Sequence, residues 1–552
     1  MIRKATSDLW WKNAVLYCLS VQTFLDADGD GRGDLQGLTE RLDYLAGIGI
    51  TCVWLMPFYP SPCRDDGYDI CDFYGVDERL GTPGDFAEFV RTARDRGIRV
   101  IVDLVMNHSS DQHRWFQAAR KDRGSPYRGF YVWVDEKPEE KPGDIVFPDQ
   151  ESSNWAWDEE AGQYYLHRFY SFQPDLNVAN AEVRDEIAQV IGYWLEQGLA
   201  GFRVDAVPFM LEPMGLPEGA MQDPHELLRD LRSYMGRRRG DAILIGEVNL
   251  PPEQQREFFG NDDELHMVLS FTVNQALYLA LAREQAAPLA EALHSLPELP
   301  EDCQWANFVR NHDELTLDKL SEDERQEVFA AFGPEKELQL YGRGLRRRVP
   351  TMLAGDEDRI RLAYSIAFSL PGTPVLFYGE EIGMAENLEL EGRMSVRSPM
   401  QWSPERHGGF TTADEPFRPL VSTEGCTPED VNVAHQRREP DSLLNWFERL
   451  IRRRKECPEL GFGVCTLLDA GEPSVLAHRS DWDDSTIVAV HNLAGRDVSC
   501  AIALDDADGA VLVDLFGHDE LSVGDGGEVA LELPRYGARW YRVRRPGQRV
   551  AP

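Results

Sequence analysis

Lysine is scarce in this chain: 8 lysines stand against 49 arginines, so nearly every basic group is a guanidinium. Positive charge is in deficit as well, with 57 basic against 95 acidic residues and a formal net charge of -38, which opposes binding to nucleic acid or anionic membrane surfaces. That acidity suits either a salt-rich cytoplasm or a soluble surface encoded by a GC-rich genome. Long apolar runs are missing, since none reaches the ~18 residues that a membrane-spanning helix needs. The opening residues, MIRKATSDLWWKN, lack the apolar centre of a secretion signal, so a cytoplasmic location is expected. No CxxC pair occurs among the nine cysteines, and their odd number argues for buried free thiols in a reducing compartment. No GxGxxG follows the first strand-like run, which removes a dinucleotide site there, and no organic cofactor is expected. Repeats and low-complexity segments are absent.

What the chain does contain is alternation. At 552 residues it exceeds one compact domain. Strand-like runs VLYCLSVQTF, TCVWLMP, RVIVDLV, GFRVDAV, AILIGEV, HMVLSFTV, ANFVRNHD and PVLFYGEEIG are separated by amphipathic stretches, such as the one where Leu35, Leu38, Leu42 and Leu45 recur at helical spacing. Eight such units predict an α/β fold, a (β/α)8 TIM barrel over residues 1–106 and 174–458. The alternation fails over 107–173, a stretch rich in aromatics, proline and charge, which reads as an inserted subdomain B after the third strand. Short alternating strands over 459–552 predict a C-terminal antiparallel β-sandwich.

Three acids close three of the runs: Asp205 in GFRVDAV, Glu247 in ILIGEV and Asp313 in NFVRNHD. A parallel barrel gathers its strand ends at one mouth, where active sites lie. Cleaving a glycosidic bond with retained configuration takes two carboxyl groups about 5 Å apart. Arg203, two residues before Asp205, projects on the same side of the strand and would keep that carboxylate ionised, as a nucleophile requires. Glu247 ends an apolar strand, a setting that raises a carboxyl pKa and suits a proton donor. A single strand-end acid is more often a helix cap. Three of them, with Arg203 and His312 alongside, point to an enzyme acting on sugars.

DLVMNH, GFRVDAV, GEVN and FVRNHD, joined by DGYDI at Asp66 to Ile70, resemble the sequence regions of glycoside hydrolase family 13, the α-amylase family. The resemblance runs over nearly the whole chain. WLMPFYPSPCRDDGYDI, FQPDLNVANAEVRDEI, RNHDELTLD and VRSPMQWSPERHGGF look like the members that interconvert maltose and trehalose. It implies a retaining enzyme on a small disaccharide, with Asp205 as the nucleophile that forms a covalent β-glucosyl ester. Glu247 would be the acid and then the base, and Asp313 the stabiliser of the transition state. It further implies that Asp69, His108, Arg203 and His312 hold the terminal glucose, that Tyr68 stacks on it, and that Arg397 contacts it from the last barrel loop. Hydrolysis of trehalose or a similar α-glucoside stands beside that reading. Amylase action on polymers is weaker, because the similar members have closed, pocket-shaped sites, and a non-catalytic barrel is weaker still, because all three acids are present. The expected partner is a small sugar, with self-association left open.

Three places depart from the pattern of those members: Asp144 stands where they carry an arginine, GLPEGAMQDPHELL differs from their lid, and Asp318 replaces a glutamate. An isomerase must keep water from its intermediate, so lid changes bear on the products. DADGDGRGD, from Asp26 to Asp34, alternates carboxylates with glycines in a way that suits a hard cation, Ca2+ or alternatively Mg2+, with a solvated acidic turn as the lesser alternative. The resemblance implies ligation by Asp26, Asp28, Asp30 and Asp34 and the carbonyl of Arg32. It implies a second Ca2+ on Asn107, Asp175 and Glu212 with the carbonyls of Phe209 and Met210, pinning the insert to the barrel. Trp10, Trp11, Trp155 and Trp157 could stack on sugars, but such aromatics more often sit in a core. The RGLRRR run at Arg343 to Arg348 reads as a salt-bridge loop, and His113, His167 and His225 lack metal-ligand spacing.

Overall fold

The computed structural model describes residues 9–140, 145–212, 214–217 and 219–547, so Asp144 lies outside the described residues. Eight parallel strands close into a barrel: β1 (Leu16–Leu19), β2 (Cys52–Leu55), β3 (Arg99–Leu104), β4 (Gly201–Val204), β5 (Ile243–Gly246), β6 (Met267–Leu269), β7 (Gln304–Phe308) and β8 (Thr373–Phe377). Their order around the barrel is their order in sequence, and β1 pairs with both β2 and β8 to close it. The TIM barrel expected from the eight runs is the fold observed. Every residue of β1, β2, β4 and β5 is buried, because helices cover the outside and side chains fill the inside. Two charges break this apolar interior, Asp103 in β3 and Arg203 in β4, and a charge so placed must be paired. Gly201 opens β4 at φ +147°, where an added Cβ would stand 2.2 Å from the Ile243 carbonyl oxygen, so only glycine lets β4 approach β5.

Between β3 and β4 the chain builds a three-stranded antiparallel sheet, with Gln163–Leu166 between Trp133–Val134 and Trp155–Asp158. Bridges His108 to Asp175 and Tyr131 to Leu176 tie its base to the barrel mouth. After the barrel come a six-stranded antiparallel sheet and a two-stranded one, Val498–Ala503 with Glu528–Leu533. The two layers share an apolar core that includes Val488, Val490, Ile502, Leu512 and Leu531. This unit docks on the barrel helix Glu357–Ser369: Trp540 Nε1 donates to Ser365 Oγ at 3.0 Å, and His491 and His478 meet Ser365 and Ser369 at 3.0 and 3.2 Å. Trp10 and Trp11 are core residues whose indole N–H groups donate to the carbonyls of Asp241 and Asp302. The nine cysteines are unpaired, and Cys18, Cys52, Cys303 and Cys457 are buried. Among the described residues no helix is long and apolar enough to cross a membrane.

Candidate active site

Asp205 and Glu247 follow neighbouring strands β4 and β5, and Asp313 lies beyond the end of β7, so all three emerge at the C-terminal mouth. Arg203 binds the first two together: Nη1 donates to Asp205 Oδ1 at 2.6 Å and Nη2 to Glu247 Oε2 at 2.7 Å. One rigid guanidinium therefore fixes the spacing of both carboxylates. Ala206 sits at φ +49°, a left-handed conformation uncommon for a residue with a Cβ, and its N–H reaches Glu247 Oε2 at 3.2 Å. Strained backbone of this kind gathers at functional sites.

Behind this pair lies Asp103, which the sequence reading passed over. Its Oδ1 accepts from Trp54 Nε1 at 3.0 Å and Arg203 Nη1 at 3.2 Å, and its Oδ2 accepts from the Tyr68 hydroxyl at 2.7 Å. Tyr68 and His312 lie parallel, with ring centroids 5.9 Å apart at 8°, and His312 Nε2 stands 2.8 Å from the Tyr68 hydroxyl and 3.2 Å from Asp313 Oδ2. A neutral His312 carrying its proton on Nε2 satisfies both, because Tyr68 gives its own proton to Asp103. Asp313 Oδ1 also accepts from Arg393 at 2.7 Å and Arg397 at 2.9 Å. The far ends of those arginines reach Asp65 and Asp66, and Arg418 reaches Asp66 as well. Trp54, Asp65, Asp66, Arg393 and Arg418 were likewise missed. A lone acid inside the apolar run RVIVDLV was the one signal that could have exposed Asp103.

Burial pushes Glu247 up to about 7 and Asp205 up to about 6, against the pull of Arg203 toward both ionised forms. Burial raises both carboxyl groups, so the pair holds a proton near neutral pH, the state that a paired acid and nucleophile need. Burial also lifts Asp103 to about 6. Asp313 goes the other way: burial would raise it, but the Arg393 and Arg397 guanidiniums hold it well below the carboxylate range. Burial keeps His312 neutral and lowers His108 to about 4.

Above these groups opens a cavity of about 830 Å³, within the ~300–1,000 Å³ typical of small-molecule sites. Glu247, Asp313 and Arg393 line it together with Phe147, Phe169, Phe209 and Phe271. Phe147 roofs it from the insert, stacked on Tyr170 at 4.8 Å, near Tyr341 at 5.2 Å, with the Arg393 guanidinium over its ring at 5.0 Å. Asn249 and Asp318 line the outer wall, with Asn249 Nδ2 donating to Asp318 Oδ1 at 2.9 Å.

The other expected residues fall as follows. Asp69 accepts from Ser61 Oγ at 2.9 Å and from the backbone N–H groups of Arg64 and Asp65 at 3.2 Å, so it shapes the loop carrying Tyr68. His108 Nε2 meets the Tyr68 carbonyl at 3.2 Å. Arg397 has a fully buried side chain and acts on Asp313, Asp66 and the His312 carbonyl. Trp155 is buried in the insert and Trp157 is exposed. In the RGLRRR run, Arg343 and Arg347 pair with Glu314 and Glu386, while Arg346 and Arg348 bind carbonyl oxygens. His113 caps the helix Arg114–Lys121, His167 is buried, and His225 Nδ1 meets Glu264 at 2.6 Å.

The carboxylates of Asp26, Asp28 and Asp34 converge, each offering an oxygen within 4.8 Å of the others, a donor set that fits a hard divalent cation. Asp30 is not part of that cluster, and its Oδ1 accepts from the Arg32 N–H at 2.7 Å. The second expected site looks different. Arg168 already reaches its oxygens: it donates to Asp175 Oδ2 at 3.3 Å, to the Glu212 carbonyl at 2.7 Å, and to the Phe209 carbonyl. Asn107 Oδ1 is buried without a hydrogen-bond partner. Any ion there would share its ligands with a guanidinium, so the oxygen cage that the resemblance implies is not what these residues form.

Residues 19–331 and 345–463 match the family described as alpha amylase, catalytic domain, and residues 485–542 match the sucrose hydrolase-like C-terminal domain. The chain is 38% identical to the trehalose synthase of Pimelobacter sp. (strain R48), over 97% of this chain and 96% of that one. It is 39% identical to the trehalose synthase/amylase TreS of Mycobacterium tuberculosis (strain CDC 1551 / Oshkosh), over 97% and 90%. The trehalulose synthase MutB of Pseudomonas mesoacidophila MX-45 superposes with a TM-score of 0.76 at 27% identity, over 97% of this chain and 99% of that one.

Proposed function

The chain belongs to the α-amylase family, and on that premise we propose that it is a retaining transglucosylase which interconverts maltose and trehalose. The observation that carries this reading is the grip of Arg203 on both Asp205 and Glu247, with Glu247 and Ala206 lining the cavity. In the first step Glu247 gives its proton to the glycosidic oxygen while Asp205 attacks the anomeric carbon, which releases one glucose and leaves a β-glucosyl ester on Asp205. Asp313, ionised and held by two arginines, faces the positive charge that develops on the ring. Glu247, now ionised, takes a proton from a hydroxyl of the retained glucose, and that oxygen displaces Asp205. Attack through a different hydroxyl gives the other disaccharide with the α configuration restored.

A Ca2+ or Mg2+ ion held by Asp26, Asp28 and Asp34 is part of the proposal; when bound it would clamp the loop after β1 and takes no part in the chemistry. A cytoplasmic location belongs to the same reading, since unpaired cysteines suit a reducing compartment. The test is to supply maltose and, separately, trehalose and follow products by NMR. Each disaccharide should appear from the other. Glucose alone from both would overturn the reading in favour of hydrolysis. One observation favours that second reading: a second cleft of about 430 Å³ adjoins the cavity, and Pro208, Glu212 and Leu250 line both.

A further inference from the structure

We infer that the contact between Gly215 and Trp155 determines product specificity by seating the strap 214–217 against the insert and so limiting the entry of water. The inference rests on the glucosyl-enzyme reading above. Trp155 is 5% exposed and packs with Val132 and Leu166 on one face of the insert sheet, and Met214 and Leu216 of the strap pack onto that cluster. Between them Gly215, at φ +71°, lies so close that an added Cβ would stand 2.4 Å from Trp155 Cη2, 2.8 Å from Cζ2 and 3.1 Å from Val132 Cγ1. No side chain fits there unless the strap lifts.

The strap is joined to the reacting groups by a short path. From Asp205 the chain turns at Ala206, runs through the helix Val207–Leu211, and reaches Met214, which lines the cavity. The Val207 N–H donates to the Glu247 carbonyl at 3.3 Å, and Arg168 of the insert holds the Glu212 carbonyl at 2.7 Å. The helix between Asp205 and the strap also separates the cavity from the second cleft, with Pro208 and Glu212 lining both. Met214 of the strap lines the cavity, so lifting the strap would widen the cavity to solvent. The glucosyl ester on Asp205 can be displaced by a sugar hydroxyl, which returns a disaccharide, or by water, which returns glucose; in both cases the incoming proton goes to Glu247. A seated strap favours the first outcome.

Gly219 supplies the control, because it has a similar φ of +79° with nothing within 4 Å of an added Cβ. Gly219→Ala carries the backbone cost without the collision. Gly215→Ala should raise the ratio of glucose to disaccharide formed from maltose about fivefold, while Gly219→Ala stays within about twofold of the parent. Trp155→Phe removes the outer ring carbons that the new methyl would strike, so it should raise the ratio alone yet restore it partly when combined with Gly215→Ala. Hydrogen exchange over 207–217 should quicken in Gly215→Ala and not in Gly219→Ala. A folded Gly215→Ala with the parental product ratio overturns the inference, as does a Gly219→Ala effect of equal size. If Gly215→Ala does not fold, Trp155→Phe alone decides, and an unchanged ratio there overturns it. Should the parent enzyme yield only glucose, the disaccharide reading fails on its own, and equal exchange in the two glycine variants would remove the strap contact too.

Discussion

Arg203 donates to Asp103, Asp205 and Glu247 at once, so its loss would leave two buried carboxylates and the half-buried Glu247 without their common cation. Arg203→Met should lower kcat about a thousandfold or more, and Arg203→Lys should recover little, because a point charge cannot hold two carboxylates at fixed spacing. The pair it holds also sets the pH profile. Activity needs Asp205 ionised and Glu247 protonated, so the rate should fall as pH drops through about 6 and again as it rises through about 7. A flat profile across pH 5 to 8 would contradict this assignment, and Glu247→Gln assayed with a good leaving group should lose the alkaline limb. Asp205, Glu247 and Asp313 could be read from the sequence because each ends a strand-like run. Arg203 could be read as well, two residues before Asp205, but the more distant partners could not: Arg393 and Asp65 lie 328 residues apart and Arg203 and Asp103 lie 100 apart, and only barrel closure brings them together.

The loops around the mouth are where sequence and structure part company. All eight strands were legible because a barrel strand is buried on both faces and reads as an apolar run. Loop residues obey no such period, and Asp69 shows the result: its carboxylate is taken up by N–H and hydroxyl groups within eight residues along the chain. The Asp26–Asp34 loop shows the opposite, since alternation of acid and glycine did bring Asp26, Asp28 and Asp34 together. If a cation sits there, chelation should lower Tm by a few degrees and the Asp28→Asn variant should no longer respond. An identical chelator response in that variant would place the ion elsewhere.

At the scale of the whole molecule, the C-terminal sheets are held to the barrel partly by buried imidazoles. His478 and His491 stack at 6.1 Å beneath the helix Glu357–Ser369, and burial lowers them to about 4 and about 3. Free imidazole titrates at ~6.5, so below that pH the unfolded chain takes up protons that the folded one refuses. Stability is complete above pH ~6.5 and should fall by up to about 1.4 kcal/mol per pH unit for each histidine as pH drops toward 4, measured by denaturant unfolding of the wild type against His491→Gln. The same pH slope in both proteins would remove His491 from the account.

The central claim, that Asp205 carries the sugar between two partners, has a direct test in the Glu247→Gln enzyme given α-glucosyl fluoride. Fluoride leaves without a proton, so the ester should form and then persist for want of a base. Mass spectrometry should find one added glucosyl unit on the peptide containing Asp205. A glucosyl unit on another residue, or turnover of the fluoride with inverted configuration, would contradict it.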